Sequence, residues 1–282
     1  MKDLRDEIQR NVQQALAEDV GEGDLTAALI PSGTTMNASV ISREEAVLCG
    51  MQWFATCFMT LAPDTVIDWF AKDGDKLQAG QKLCEVTGNA RALLTAERSA
   101  LNFLQLLSAV ATQTRHYVDA IAGTGAAIVD TRKTLPGLRM AQKYAVTCGG
   151  GINHRLGLYD GILIKENHIM AAGGIKPALV KAQEIAPPHV FIQIEVESLP
   201  ELHEAIAAGA SMVLLDNFSL RQLSDAVTLA RQQIGGERII LEASGNVNLQ
   251  TVRQVAETGV DRISIGGLTK NIQAIDLSMR FI

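Results

Sequence analysis

Hydrophobic and polar positions change their period along this chain, and the changes mark its parts. Leu4, Ile8, Val12, Ala15 and Leu16 recur at helical spacing, and Gly21 and Gly23 predict a stop near Asp19. Asp24 or Thr26 can cap whatever follows. Met36, Ala38 and Val40 alternate with polar or small residues, as in a half-buried strand. Residues 66–70 and 83–87 predict two strands around the turn-rich AKDGDKLQAGQ. From 89 to about 121 the apolar residues, Leu93, Leu94, Leu101, Leu104 and Leu107 among them, return to helical spacing.

Beyond that helix, short apolar runs alternate with amphipathic stretches. The runs lie at 126–129, 161–164, 190–194, 212–215, 238–241 and 262–265, with helices such as 200–208, 220–234 and 249–258 between them. Strand–helix repetition predicts a parallel sheet. The expected class is α/β: an incomplete, open α/β barrel of six to seven parallel strands, the seventh near 153–156, with an N-terminal α+β sandwich-like domain. An open doubly wound sheet is the alternative. The expected domains are 1–112 (α+β), 113–268 (barrel) and 269–282, a segment returning to the N-terminal domain.

Polar residues fall at the ends of these runs. Asp130 and Arg132 end the first, Lys165 the second, Glu195 the third and Asp216 the fourth, while Ser244 follows the fifth and Gly266-Gly267 the sixth. In α/β barrels the active site lies at the C-terminal ends of the strands. Charged or phosphate-suited groups after nearly every strand therefore point to a site and not to solvated loops.

Composition narrows the class. The chain has 282 residues, 47% of them hydrophobic and 20% charged, as in an ordinary globular enzyme. No apolar run approaches the roughly 20 residues of a membrane span. The charged N-terminal stretch MKDLRDEIQR lacks an apolar signal core. Cys49, Cys57, Cys84 and Cys148 are scattered without a CxxC, so neither a disulfide framework nor a zinc site is expected, and a reducing cytoplasm fits.

The net charge is -6, yet 131–168 holds Arg132, Lys133, Arg139, Lys143, Arg155 and Lys165 against only Asp160 and Glu166. It also carries His154, His168 and the run Gly149-Gly150-Gly151. A cationic island in an acidic chain points to a small polyanion, with no nucleic-acid surface. Guanidinium groups match carboxylate and phosphate oxygens bidentately, so Arg132, Arg155, Lys133 and Lys165 are candidate ligand holders, and His154 can add a hydrogen bond or a proton. Arg139 and Lys143 are expected on the solvated face of a helix after Pro136. Glu195 and Asp216 suit Mg²⁺ held together with substrate phosphates. A buried salt bridge with Lys133 or Lys165 explains them equally well. Ser244-Gly245-Asn246 and Ile265-Gly266-Gly267 are expected to open helices and bind phosphate through backbone N–H groups; for Gly235-Gly236 a simple turn suffices. His116, His189 and His203 are expected at the surface. There is no GxxxxGK[ST], HExxH or GxSxG, and Gly123-Thr124-Gly125 precedes a strand where a dinucleotide fingerprint would follow one.

Taken together, ALAEDVGEGDLTAALIP, AERSALNFLQLLSAVAT, TRKTLPGLR, QKYAV, GGGINHRLGLYDGILIKENH, IEVES, LLDNF, SGNV, ETGVDRISIGGLTK and DLSMRF resemble the quinolinate phosphoribosyltransferase family over nearly the whole chain. The resemblance implies transfer of phosphoribosyl from phosphoribosyl pyrophosphate to quinolinate, giving nicotinate mononucleotide, pyrophosphate and CO₂, with Mg²⁺ as cofactor. It implies that Arg132, Lys133, His154 and Arg155 line the quinolinate pocket. Arg98 would enter the site of a partner subunit in a homodimer or higher oligomer. Lys165, Glu195 and Asp216 would surround the ribose, pyrophosphate and metal, with Lys133 among the catalytic groups. Ser244, Gly245, Gly266 and Gly267 would hold the 5-phosphate. Gln193 departs from the family, whose members often carry an acid there.

Other classes compete. Lys133 or Lys165 could form a Schiff base in a barrel lyase, though the surplus of cations and the late glycine loops favour a phosphorylated polyanion. DGDKLQAGQKLCEVTG resembles a lipoyl-type hairpin but has no lysine at an exposed turn. A relative taking nicotinate, or one from the molybdenum pathway, is the nearest alternative. The type I phosphoribosyltransferase signature needs paired acids, and Leu214-Leu215-Asp216-Asn217 has one.

Overall fold

The structure, a computed structural model, describes residues 4–232 and 238–282. In chain order the elements begin with α1 (Leu4–Val20), β1 (Thr35–Ser42), β2 (Ala46–Val47), α2 (Met51–Leu61), β3 (Val66–Trp69), β4 (Lys76–Leu77), β5 (Lys82–Asn89) and α3 (Ala90–Ala120). Then come β6 (Ala127–Val129), α4 (Arg139–Cys148), β7 (Gly161–Ile164), α5 (Glu166–Ala172), α6 (Ile175–Ile185) and β8 (Phe191–Val196). The chain finishes with α7 (Leu199–Ala207), β9 (Met212–Asp216), α8 (Leu220–Arg231), β10 (Ile240–Ser244), α9 (Val252–Glu257), β11 (Arg262–Ser264), α10 (Gly267–Lys270) and β12 (Leu277–Phe281). Contacts divide it into two compact units: Met1–Arg115 with Thr134–Gly150 and Leu268–Ile282, and His116–Lys133 with Gly151–Gly267. The expected domains change at 113 and 269 and count 134–150 with the barrel, whereas contacts group Thr134–Gly150 with the first unit.

The first unit is built on an antiparallel sheet in the order β12-β1-β5-β3. Ala38 sits opposite both Val86 and Phe281, and Val40 opposite Cys84 and Met279. One face of alternating residues is therefore buried, which locks the register. The stripe on α1 buries Ile8, Val12 and Leu16, and a buried polar residue, Asn11, sits among them. Its amide accepts from Trp53 Nε1 at 3.1 Å and donates to the Gly137 carbonyl at 3.2 Å. Removing Asn11 would strand an indole N–H in the core, a cost of about 1–3 kcal/mol. Lys143 corrects an expectation: on α4 it is 1% exposed, not solvated, because this helix is buried nearly all round, at Ala141, Gln142, Ala145 and Val146 as well as at Lys143.

The second unit contains a six-stranded sheet in the order β6-β11-β10-β9-β8-β7, parallel throughout. The middle strands are buried almost end to end, as expected where both faces are covered. Ser198 caps α7 by accepting from Glu201 N, and Ser219 with Gln222 forms a capping box on α8. The end of the expected 220–234 helix and the Gly235-Gly236 turn lie outside the described residues. The seventh strand near 153–156 does not form; only a bridge between Val129 and Ile152 does. The cause is local. The His154 N–H goes to Asp130 Oδ1 at 2.9 Å and the Arg155 N–H to His154 Nδ1 at 2.7 Å, so neither is free for a ladder. His154 lies just past the β6 edge, yet its ring reaches Gln193 on β8 at 2.7 Å. A side-chain bond from one edge to a strand beside the other requires the sheet to curl, and this is the incomplete barrel that was expected.

Candidate active site

Strand register decides which side chains meet inside the barrel. Glu195 pairs with Leu214, Glu242 with Leu214, and Ser244 with Asp216. Paired residues point the same way, and so do residues two apart. Gln193, Glu195, Asp216, Glu242 and Ser244 therefore share one face. Glu195 lies within β8 and not after it, one residue short of the strand's end.

Lys165, next after β7, places Nζ 2.7 Å from Glu195 Oε2, with the lysine side chain 45% exposed and the glutamate 9%. The salt bridge weighed as an explanation for Glu195 thus exists, with Lys165 as partner, and its open side faces solvent. On the neighbouring strand Asp216 is half-buried, and its Oδ2 accepts from Asn217 Nδ2 at 2.7 Å. Asn217 adopts a left-handed backbone (φ 56°), and its N–H bonds the Ser244 carbonyl at 2.9 Å. Gly245 (φ 109°) passes so close to the Asn217 amide that a Cβ there would collide with Oδ1. The β9 and β10 loops are thereby tied together. The expectation that Ser244–Asn246 opens a helix is corrected: α9 begins only at Val252.

The basic side is built by β6 and the segment after Ile152. Arg155 donates to the Gly161 carbonyl at 3.1 Å. Burial, and then the like charge of Arg132, pull its pKa below the ordinary arginine range against the opposing effect of Asp160. Arg132 Nε is buried without a hydrogen-bond partner. Two guanidinium groups held together, one with an orphaned donor, make a site shaped for an anion. Asp160 holds the loop by accepting from the Leu156 and Gly157 N–H groups at 2.7 and 2.8 Å. Lys133 is exposed, and its stem crosses Gly266, where an added Cβ would stand 3.0 Å from Lys133 Cδ. The first and last strand-end loops are thus adjacent. Gly267 is the first residue of the short α10.

Beneath lies a buried polar chain. His154 Nδ1 accepts from Arg155 N, so Nε2 carries the proton and donates to Gln193 Oε1. Gln193 Nε2 in turn donates to Glu242 Oε2 at 3.2 Å. Gln193 and Glu242 are both fully buried, and Glu242 Oε1 has no hydrogen-bond partner. Both His154 ring nitrogens are engaged within the protein, so proton donation to a ligand would require one of these bonds to open. Phe191 stacks edge-on against the ring at 5.4 Å.

Two adjoining family profiles match this chain. Quinolinate phosphoribosyl transferase, N-terminal domain, covers residues 24–108, and the C-terminal domain of the same family covers 110–280. The chain belongs to the quinolinate phosphoribosyltransferase family. The nicotinate-nucleotide pyrophosphorylase [carboxylating] of Mycobacterium leprae is 41% identical over 281 residues, spanning 97% of each chain. A chloroplastic protein of the same description from Arabidopsis thaliana is 38% identical over 95% of this chain and 81% of its own. The solved nicotinate-nucleotide pyrophosphorylase of Francisella tularensis superposes with a TM-score of 0.94 at 45% identity, covering 98% of this chain and 96% of that one.

In this family member the structure brings Arg132 and Arg155 together, pairs Lys165 with Glu195, and joins Asp216, Ser244 and Gly245 through Asn217. Arg98 stands exposed on α3 in the first unit. His116, His189 and His203 are exposed, as expected. Sequence reasoning misses Glu242, because the fifth apolar run ends at 241 while β10 continues to Ser244. An acid between Leu241 and Ala243 was the available signal.

Proposed function

We infer that this chain transfers the phosphoribosyl group of phosphoribosyl pyrophosphate to quinolinate with loss of CO₂, a step of NAD biosynthesis. The products are nicotinate mononucleotide and pyrophosphate. The observation that carries the reading is the pair Arg132–Arg155, with a buried Arg132 Nε awaiting an acceptor. It sits in a chain about 40% identical, end to end, to carboxylating pyrophosphorylases.

Quinolinate carries two carboxylates beside a ring nitrogen. Arg132, Arg155 and Lys133 hold the carboxylates and aim the nitrogen at C1 of the ribose. The nitrogen lone pair forms the N–C1 bond as the C1–O bond to pyrophosphate breaks. Positive charge that develops on the ribose ring is met by Glu195 and Asp216. Lys165, held at the mouth by Glu195, faces the leaving pyrophosphate. The ring nitrogen, now positive, accepts the electron pair of the C–C bond to the adjacent carboxylate. CO₂ departs, and the ring carbon takes a proton. Ser244, Gly245, Gly266 and Gly267 receive the 5-phosphate. Glu195 and Asp216, hard oxygen donors on adjacent strands, fit Mg²⁺ and would hold it. The ion would supply charge neutralisation for the pyrophosphate.

A homodimer with shared sites is part of this reading, with Arg98 serving the partner's pocket; its exposure on α3 supports that role. Mixing inactive Arg98→Ala and Lys165→Ala chains should restore activity, and failure despite demonstrated subunit exchange would remove the shared site. A cytoplasmic location is supported by four free cysteines, and no helix among the described residues is long and apolar enough to cross a membrane. The function itself is tested by product analysis. Nicotinate mononucleotide should form from quinolinate, dependent on phosphoribosyl pyrophosphate and Mg²⁺, and not from nicotinate. Formation from nicotinate alone would move the specificity to a sister activity.

A further inference from the structure

A second cluster of reactive side chains lies in the first unit, and the transfer reaction makes no use of it. Cys49 follows β2 and directly precedes Gly50, the N-cap of α2. Asp73 lies in the turn between β3 and β4. Cys148 is the last residue of α4. One ligand atom from each, the two Sγ and a carboxylate oxygen, lie within 4.8 Å of one another. Cys49 is buried, while Cys148 and Asp73 are half-exposed, so an ion can enter from solvent.

The carboxylate is oriented before any ligand arrives. Asp73 Oδ1 accepts from the Gly50 and Met51 N–H groups at 3.0 and 3.2 Å. Asp73 Oδ2 accepts from the Tyr144 hydroxyl at 2.8 Å, and Tyr144 stands one helical turn before Cys148. These bonds by themselves explain Asp73 as a cap for α2. They do not explain why two thiols converge on it. Cys57 and Cys84, by contrast, are buried in the core and behave as small apolar residues.

We propose that Cys49, Cys148 and Asp73 form a binding site for a soft divalent cation of the zinc class, with Tyr144 fixing the carboxylate and water as fourth ligand. Zinc–sulfur bonds of about 2.3 Å and zinc–oxygen bonds of about 2.0–2.2 Å in a tetrahedron set ligand atoms roughly 3.5–3.8 Å apart. Closing from a spacing of at most 4.8 Å takes a contraction of no more than about 1.3 Å, within reach of side-chain rotation. On binding, both S–H bonds break, the protons pass to solvent and two sulfur–metal bonds form. The N–H groups at the start of α2 offset the resulting negative charge on the ligands. Thiolates select against Mg²⁺, so this ion does not compete with the one proposed for the barrel. The site ties the start of α2 and the β3–β4 turn to the end of α4.

The test uses the full-length chain, reduced and treated with a chelator. Cd²⁺ is the spectroscopic probe, through its thiolate charge-transfer absorption, and Zn²⁺ is measured by competition with a chromophoric chelator. The expected result is one equivalent bound per chain with proton release. Affinity should fall at least about tenfold in Cys49→Ser, Cys148→Ser and Asp73→Asn, and be unchanged in Cys57→Ser and Cys84→Ser. Cys148→Ser keeps the test sound if the buried Cys49 variant fails to fold. Absence of the absorption in the reduced protein would overturn the site, as would equal binding by Cys148→Ser. A Cys49–Cys148 disulfide, seen as the loss of two hydrogens by mass, in a protein that binds no metal when reduced would also overturn it.

Discussion

Replacing Arg132 with Met separates binding from stability, and the two effects should have opposite signs. In the free protein Arg132 Nε is buried without an acceptor, and its charge faces that of Arg155. A buried unsatisfied donor costs about 1–3 kcal/mol, and like-charge repulsion adds to it. Methionine keeps the apolar stem and removes both penalties. Allowing for imperfect repacking, Arg132→Met should be about 1 kcal/mol more stable, which raises Tm by roughly 2–4 °C. The same change removes a charge-assisted hydrogen bond to a quinolinate carboxylate, worth about 1.5–3 kcal/mol. That is a loss of about 10- to 150-fold in kcat/KM for quinolinate. The KM for phosphoribosyl pyrophosphate should stay within about threefold, since the late glycine loops hold that substrate's 5-phosphate. Differential scanning calorimetry and initial rates measure the two sides. A fall in Tm, or unchanged quinolinate kinetics, would refute the assignment of the orphaned donor to the substrate.

Other consequences follow from the same geometry. Gln193→Leu removes the amide that bridges the His154 ring and Glu242 and leaves them only their mutual contact at 3.7 Å, so denaturant unfolding should show a loss of about 1–3 kcal/mol; no measurable loss would mean the buried chain is not coupled. Gly245→Ala places a Cβ against the Asn217 amide at a φ of 109°. It should raise the KM for phosphoribosyl pyrophosphate and leave that for quinolinate nearly unchanged, and steady-state kinetics with each substrate varied would check this. Asp261, despite burial, is held below its ordinary pKa of 3.8 by the Leu241 N–H and by Arg231 and Arg238. Its stabilisation is therefore complete above the unfolded value and lost as pH falls through the lowered native one. Urea midpoints of wild type and Asp261→Asn should converge on acidification below about pH 4; a constant gap would contradict the pairing. Burial pushes the Cys57 and Cys84 thiols up to about 12, so thiol reagents at neutral pH should leave both unmodified in the folded chain.

The parts of this fold that were legible in the sequence are those that depend on period. Amphipathic α1 and α3 and the six apolar runs became helices and parallel strands because burial of one face, or of both, enforces those spacings. The strand-end residues were legible for a topological reason: parallel strands all deliver their following residues to one end. What period cannot show is a polar residue whose partner is distant in sequence. Asn11 is a polar residue inside the apolar stripe of α1, and only the fold shows that it serves Trp53. Charge alone suggests a solvated Lys143, and period cannot show that α4 is enclosed on nearly every side. Glu242 escapes notice because a buried acid resembles the end of an apolar run until Gln193, two strands away on β8, supplies its partner. The seventh strand failed because Asp130 and His154 take the N–H groups that a ladder needs. The sequence marks Arg132 and Arg155 as candidate anion holders, but their mutual repulsion and the unpartnered Arg132 Nε are visible only in three dimensions.

The most direct test of the central claim is the fate of each quinolinate carboxylate. Label the 2-carboxylate and the 3-carboxylate separately, and follow CO₂ against pyrophosphate released. The account predicts that the 2-carboxylate label leaves as CO₂ in step with pyrophosphate, while the 3-carboxylate label stays in the nucleotide. Transfer of the ribose with the 2-carboxylate retained, or loss of the label from position 3, would contradict a reaction in which the alkylated ring nitrogen draws out its neighbour.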